Sequence, residues 1–275
     1  MQHIGGQAVI EGVMMKSKDK FAVSVRLLNG KIRTLKKRLK RKSRIYTAPF
    51  FRGFFVLWDT LILGIKALNW SANQQLGKKE KLTLKELIFT LALSFIFVIL
   101  FFIIVPFYLT GLFVGKGILF NIIDGILRIG VFLVYLIAIS FLKDVKQLFR
   151  YHGAEHKAIN CLEAGKELNV KNCKKFSTVN PRCGTSFLVI VLVISIIAFS
   201  FIISDHWYIR LGARIILIPV IAAVSYEVLK LSAKFKDNII FKALNFPGLL
   251  IQKITTKEPS AKQIEVAIDA LKKVL

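Results

Sequence analysis

Two of the chain's four histidines, His152 and His156, lie one helical turn apart with Glu155 between them, in Tyr151-His152-Gly153-Ala154-Glu155-His156-Lys157. On a helix, residues three and four apart share a face. Two imidazoles so placed can chelate a divalent ion, and the carboxylate beside them can accept a proton from a water that the ion polarises. The order is the inverse of the His-Glu-x-x-His arrangement of zinc peptidases. Such a site needs a third ligand, for which Cys183, in Asn180-Pro181-Arg182-Cys183-Gly184-Thr185-Ser186, is the first candidate. Proline and glycine favour a short turn there that returns the sulfur toward the histidines. Arg182 suits an anionic group of a substrate, while Thr185 and Ser186 could hydrogen-bond a reaction intermediate. A donor set of two nitrogens and a thiolate favours zinc over iron or manganese by ligand softness.

The same residues admit other arrangements. The histidines and Glu155 could form a hydrogen-bonded cluster without metal, and Cys161 and Cys173 could join a histidine in a closed structural zinc site. Glu163 lies on the histidine face but too far along the helix to share an ion with both rings. Glu11, between glycines, and Glu227, at the end of an apolar run, are further acids that could serve as ligand, base or ion-pair partner; for Glu227 the candidate partners are Arg214, Lys230 or the metal.

The elements that must position these groups follow from composition. Of 275 residues 55% are hydrophobic, 23 of them Phe, more apolar surface than a soluble core of this size requires. Four segments approach the roughly 20 residues that cross hydrocarbon as a helix: 87 to 109, about 120 to 142, 186 to 204 and about 209 to 229. Residues 50 to 70 are also apolar, but Arg52, Asp59 and Lys66 recur every seven residues and form a narrow polar stripe, as in an amphipathic helix lying in the membrane interface with Trp58 and Trp70 at that depth. The helix of the second span is expected to continue unbroken through the His-x-x-Glu-His residues to about Gly165. Ahead of all these, Phe21, Val23 and Val25 alternate up to Asn29-Gly30, the mark of a β-hairpin, and residues 5 to 15 read as a further strand or turn. After the last span, residues 230 to 258 read as a basic connector with a turn at Asn245-Phe246-Pro247-Gly248. Ser260 and Gln263 then match a capping box that opens an amphipathic helix bearing Ile264, Ala267, Ile268, Leu271 and Leu275.

The expected fold is therefore mainly α: a polytopic helical membrane protein with about four transmembrane helices, a small N-terminal β element and cytoplasmic amphipathic helices. Its parts are a basic segment 1–86, a first helical pair 87–142, a loop 143–185 holding both motifs, a second pair 186–229 and a tail 230–275. Net charge is +25, and 37 of the 41 Lys and Arg fall in residues 1–86, 143–185 and 230–275. The positive-inside rule then puts both termini and the loop in the cytoplasm, at the inner (plasma) membrane. Residues 1 to 20 lack the apolar core of a cleavable signal. In that compartment the three cysteines stay reduced. So basic a face attracts anionic lipid head groups, less readily RNA.

Beyond these physical readings, the four blocks Gly5 to Met15, Tyr151 to Lys157, Pro181 to Phe187 and Pro247 to Gln252 resemble the bacterial YqhQ-like membrane family across essentially the whole chain. That family is a domain of unknown function commonly labelled a metal-dependent enzyme, so the resemblance implies a divalent metal but no defined reaction. The family pattern also has a histidine ahead of Pro-Arg-Cys, where this chain has Asn180, and an amide is a poor zinc ligand. The functional expectation is a metal-dependent hydrolase at the cytoplasmic membrane surface, with metal ligands His152, His156 and Cys183, Glu155 as base and Arg182 positioning substrate. The alternatives are a scaffold or assembly factor whose basic face docks lipid, a ribosome or a protein partner, and a transporter lined by Asp124, Arg128, Arg214 and Glu227, for which four spans would require a homo-oligomer.

Overall fold

The computed structural model describes residues 4–39, 51–76, 83–115, 117–202, 204, 206–235 and 238–275. The chain opens with a four-stranded antiparallel meander, β1 (Gly5–Val9), β2 (Gly12–Lys16), β3 (Lys20–Arg26) and β4 (Ile32–Arg38), in that spatial order. Both expected β signals are realised. Ile10 and Glu11 close the first hairpin, with Glu11 at φ 51°, and Gly30 at φ 82° serves the last. Part of the basic run 36 to 44 extends β4 as far as Arg38; residues 40–50 lie outside the described residues.

Ten helices follow among the described residues: α1 (Phe51–Gln75), α2 (Leu84–Ile99), α3 (Val105–Phe113), α4 (Ile118–Ser140), α5 (Lys143–Glu163), α6 (Val170–Cys173), α7 (Gly184–Ser200), α8 (Trp207–Lys234), α9 (Ile239–Thr255) and α10 (Ala261–Val274). A π-helical turn, Leu100–Ile104, joins α2 to α3, so that one apolar rod runs from Leu84 to Phe113. Four helices are long and apolar enough to cross a membrane, Arg52–Gln75, Leu84–Phe113, Ile118–Ser140 and Trp207–Ser232, and this is compatible with a membrane protein. By length alone the set differs from the expected one: α1 qualifies, and α7, with 17 residues, is shorter.

Two expectations about the helices are corrected. The helix of the second span does not run unbroken into the histidine motif. Phe141 closes α4 on the Ala138 and Ile139 carbonyls, Leu142 is extended (ψ 134°), and α5 starts afresh at Lys143, where the apolar run gives way to charged residues. Residues 230 to 258 are not a connector, and Asn245-Phe246-Pro247-Gly248 is not a turn but lies inside α9. Gly248 is there for contact: a Cβ on it would sit 2.7 Å from the Ser186 backbone, so only glycine lets α9 close onto the first turn of α7. The end of α5 does fall as read. Gly165 takes φ 66°, Lys166 N–H donates to Cys161 O (3.1 Å) and Gly165 N–H to Leu162 O (2.9 Å), a Schellman close.

The expected capping box at Ser260 and Gln263 opens α10. This helix is the centre of a core rather than a surface tail. Ile264, Ala267, Ile268 and Leu271 pack with Val13, Met15 and Ala22 of the sheet and with Tyr151, Ala154 and Ala158 of α5. Sheet, α5 and α10 thus make one body from the two ends and the middle of the chain. The second half of α1 lies on that sheet: Ala67 joins Val9, Val23 and Val25, Ser71 Oγ accepts from Ile10 N–H, and Gln75 donates to Arg26 O.

Candidate metal centre

α5 presents His152, Glu155 and His156 on one face because its other faces are occupied. Ala154 and Ala158 enter the core, while Gly153 backs onto the chain after α9, where a Cβ would come within 2.1 Å of Lys257 O. The two residues between His152 and Glu155 must therefore be small, one for contact with a backbone and one for packing.

The rings are held by backbone carbonyls. His152 Nδ1 lies 2.9 Å from Thr255 O, at the end of α9, and His156 Nδ1 makes a short contact with Thr178 O. A carbonyl oxygen only accepts, so each Nδ1 carries a proton, and in the neutral imidazole each Nε2 then holds the lone pair. The Thr178 carbonyl is itself aimed by α5: Lys157, 4% exposed, donates to Lys174 O and Phe176 O, and Asn160 donates to Ser177 O and Val179 O.

Cys183 caps the N-terminus of α7, its sulfur accepting from Thr185 N–H at 3.4 Å, and lies 3.2 Å from His152 Nε2. The ligand atoms of His152, His156 and Cys183 all fall within 4.8 Å of one another. A tetrahedral shell with bonds of about 2.0–2.3 Å sets ligand atoms roughly 3.3–3.8 Å apart, so a rotamer adjustment of about 1 Å closes the set around one ion. Among the described residues this is the one group of three or more His, Cys, Asp or Glu with such spacing.

Glu155 is buried beside the rings, and burial pushes its carboxyl up to about 7, offset in part by His152. β1 supplies the opposite wall: a Cβ on Gly6 would meet the Glu155 carboxylate at 2.5 Å. A cavity of about 380 Å³ opens here, lined by Gly6, His152, Glu155, His156, Arg182 and Cys183 among others.

The remaining candidates are placed elsewhere. Arg182 stands half-exposed at the cavity rim and pairs with Glu163. Asn180 is buried, but its carboxamide is committed: Nδ2 donates to Asn160 Oδ1 and Oδ1 accepts from Arg182 N–H. Gln252 of α9 clamps the same turn, accepting from Asn180 N–H (2.9 Å) and donating to Asn180 O (3.0 Å). Cys161 and Cys173 are packed against α10, apart from the histidine group, and burial beside Cys161 pushes the Cys173 thiol up to about 12. Glu11 accepts from Tyr151 Oη and Gln147 Nε2, fixing the first hairpin to α5. Glu227 pairs with Arg52 of α1 rather than with Arg214, Lys230 or the histidine group. Gly6, Gly153, Lys157, Asn160 and Gln252 were not legible as site residues. The paired glycines of β1 and the glycine inside a helix are signals of close backbone approach, whereas the two threonine carbonyls have no signature in the sequence.

The family described as protein of unknown function (DUF1385) matches residues 48–275. An uncharacterized protein, YqhQ of Bacillus subtilis (strain 168), is 33% identical over 294 residues, covering 98% of this chain and 92% of its own length. No solved structure matches.

Proposed function

This chain belongs to the DUF1385 family of unknown function, and from its site we propose a membrane hydrolase that works at the cytoplasmic surface with one divalent metal ion, zinc by ligand softness. One observation carries the reading: both histidines give their Nδ1 protons to backbone carbonyls, which leaves Nε2 of each neutral ring as the nitrogen able to ligate, in a group whose ligand atoms, the Cys183 sulfur included, all lie within 4.8 Å of one another. A carbonyl behind each ring is the supporting contact that metal-ligating histidines use to fix tautomer and orientation. Three protein ligands leave a fourth position for substrate or water, as in catalytic rather than structural zinc sites.

An ion held there would polarise a bound oxygen and make attack on an ester, amide or phosphoester feasible near neutral pH. The residues of the chain do the rest. Glu155, its carboxyl raised toward neutrality, takes up the proton of the attacking water and returns it to the leaving group. Arg182 at the rim attracts an anionic part of the substrate, and the wall of β1 limits water.

The membrane topology of this reading has α2 with α3, α4, α7 and α8 as the crossings, and the sheet, α5, α9 and α10 in the cytoplasm. Parity supports it. The sheet, α5 and α10 share one core and so one side. If α1 crossed along with the α2–α3 rod and α4, three passages would separate the sheet from α5. With α1 lying at the interface, two passages precede α5 and two more, through α7 and α8, precede α10. At about 1.5 Å per residue α7 spans roughly 26 Å, close to the hydrocarbon thickness. The concentration of Lys and Arg in the three remaining segments points the same way. Anionic lipids of the inner leaflet are then the natural neighbours of this face.

Metal analysis of full-length protein purified anaerobically without chelator tests the proposal. Near-stoichiometric zinc in the wild type, with His152→Ala and His156→Ala each folded and nearly metal-free, is expected. Folded wild type with no stoichiometric metal would overturn it.

A further inference from the structure

A second cavity, of about 1080 Å³, adjoins the first, and the two share Ile4, Gly5, Gly6 and Arg182. Its walls differ in kind. One is polar, from the β2–β3 turn, with Lys16 and Lys18 joining Arg182 against a single acid, Asp19, among the described lining residues. The other holds Val56 and Thr60 of α1 and Tyr226 of α8, with Met14 and Leu39 between. Helices α1 and α8 are both apolar and long, and they meet tightly here: a Cβ on Gly53 would lie 2.9 Å from Ala223 O. Immediately beyond, Phe54, Trp58 and Leu61 of α1 are exposed.

We infer that this cavity binds an anionic amphiphile of phospholipid type, its charged head between Lys16, Lys18 and Arg182 and its apolar part along Val56 and Tyr226. The inference rests on the metal-hydrolase reading and deepens it by giving the substrate class: a head group seated at Arg182 reaches the cavity of His152, Glu155 and Cys183 through the wall they share. Lys16, Lys18 and Arg182 outnumber Asp19 and the Glu163 that pairs with Arg182, so the net charge of this wall is positive and favours an anion. A volume nearly three times that of the first cavity, with Met14, Leu39 and Val56 in its wall, exceeds what a free inorganic anion needs. Lys16 is half-buried, and its pKa is lowered by that burial, so an anion beside it would regain the solvation that the ammonium has lost. Lys16 and Lys18 make no ion pair among the described residues that would compete for that anion.

The test uses full-length protein in a neutral detergent, with dihexanoyl phosphatidylglycerol, dihexanoyl phosphatidylcholine and inorganic phosphate as probes, and zinc content measured on the same samples. Phosphatidylglycerol should bind at least tenfold tighter than either other probe. Lys16→Glu/Lys18→Glu should abolish that preference. Lys272→Glu/Lys273→Glu, an equal change of charge at exposed positions of α10, should leave it within twofold. Equal binding of the two lipids, phosphate binding as tight as phosphatidylglycerol, or equal losses in the two charge-reversal pairs would overturn the inference. A lysine pair that fails to fold would shift the decision to Val56→Asp, which should weaken phosphatidylglycerol and leave phosphate unchanged; no weakening would overturn it. Zinc separates the two claims. Bound zinc without lipid preference removes the lipid site alone, and lipid preference in folded protein without zinc removes the metal reading while the cavity stands as a lipid site.

Discussion

Opposite ends of α7 carry two buried groups of charged or ligating side chains, and they are built on different plans. At its start, around Cys183, both imidazoles are tied by Nδ1 to a carbonyl, the Nε2 of His152 meets the Cys183 sulfur at 3.2 Å, and a cavity lies in front. Near its far end, Phe199 lies beside a cluster in which Arg128 and Arg214 pair with one carboxylate, Asp124, with Arg210 buried nearby on aromatic rings it shares with Arg214. There the guanidinium planes rest on aromatic faces, Arg210 on Phe120 at 3.9 Å and Arg214 on Phe107 at 4.7 Å, and several donors, Arg214 Nε and Nη1 among them, lack an acceptor. The first group spends its supporting bonds on orientation and turns its ligand atoms toward one another. The second uses charge and ring contacts to lock α3, α4, α7 and α8 together. Burial and charge alone do not make a chemical site; committed second partners and open space beside the ligand atoms do.

The sharpest way to break this contrast is Asp124→Asn. It leaves three buried guanidinium groups without a counter-charge, a loss of about 3–5 kcal/mol for an ion pair broken from one side. Thermal unfolding in detergent should show a large drop, while the folded fraction keeps its metal, because the cluster supports helix packing and not ligation. Parallel loss of zinc in that folded fraction would erase the distinction between the two ends.

A smaller and more local effect is expected from Gln252→Ala. Both of its bonds to the Asn180 backbone vanish and leave buried partners unsatisfied, at a cost of about 1–3 kcal/mol. The turn that presents Cys183 then loosens, and zinc affinity should fall about 10–100-fold, as for other contacts that orient ligands. Competition with a chromogenic chelator measures it. Unchanged affinity would mean that the sulfur is positioned by the helix cap alone.

How much of this was readable in the chain depends on whether a feature is local. The His-x-x-Glu-His spacing, the Asn29-Gly30 hairpin, the Gly165 stop and the Ser260 cap are set by neighbours in sequence, and each reads correctly. Pro247-Gly248 misleads because a tertiary contact with Ser186 needs the glycine inside a helix, a reason invisible to turn propensity. The partner of Glu227, Arg52, is 175 residues away, and the stripe of charges on α1 read only as polarity hid it. The convergence of Cys183 on the histidines was legible as a possibility, but the carbonyls of Thr178 and Thr255 that give it meaning are backbone atoms that any residue could supply.

Asn180→His is expected to have a lesser effect, and it sharpens the family comparison. The family resemblance implies a histidine here, yet the asparagine amide is bonded on both sides, to Asn160 and to Arg182 N–H. Replacing it gives up two hydrogen bonds of about 1 kcal/mol each. If the position is structural in this chain, stability falls and zinc affinity stays within a fewfold; a tenfold gain in affinity would instead make the position a ligand site that this chain lacks.

Tyr151→Phe should do least, and it tests whether one helix can serve two ends independently. Tyr151 precedes His152 but faces the core, where its hydroxyl donates to Glu11 at 3.1 Å. Glu11 holds positive φ at the hairpin turn and keeps a second donor, Gln147 at 3.2 Å, when the hydroxyl is gone. The ring still fills its place, so only one hydrogen bond is lost, about 1 kcal/mol, with no cavity formed. Stability measured by chemical denaturation should fall by that amount, and zinc affinity should not move, because the carbonyls that orient the two imidazoles come from Thr178 and Thr255 and not from the sheet. A matching loss of zinc would mean that the hairpin, through α5, sets the ring geometry, and the site would then extend from the histidines to the first turn of the chain.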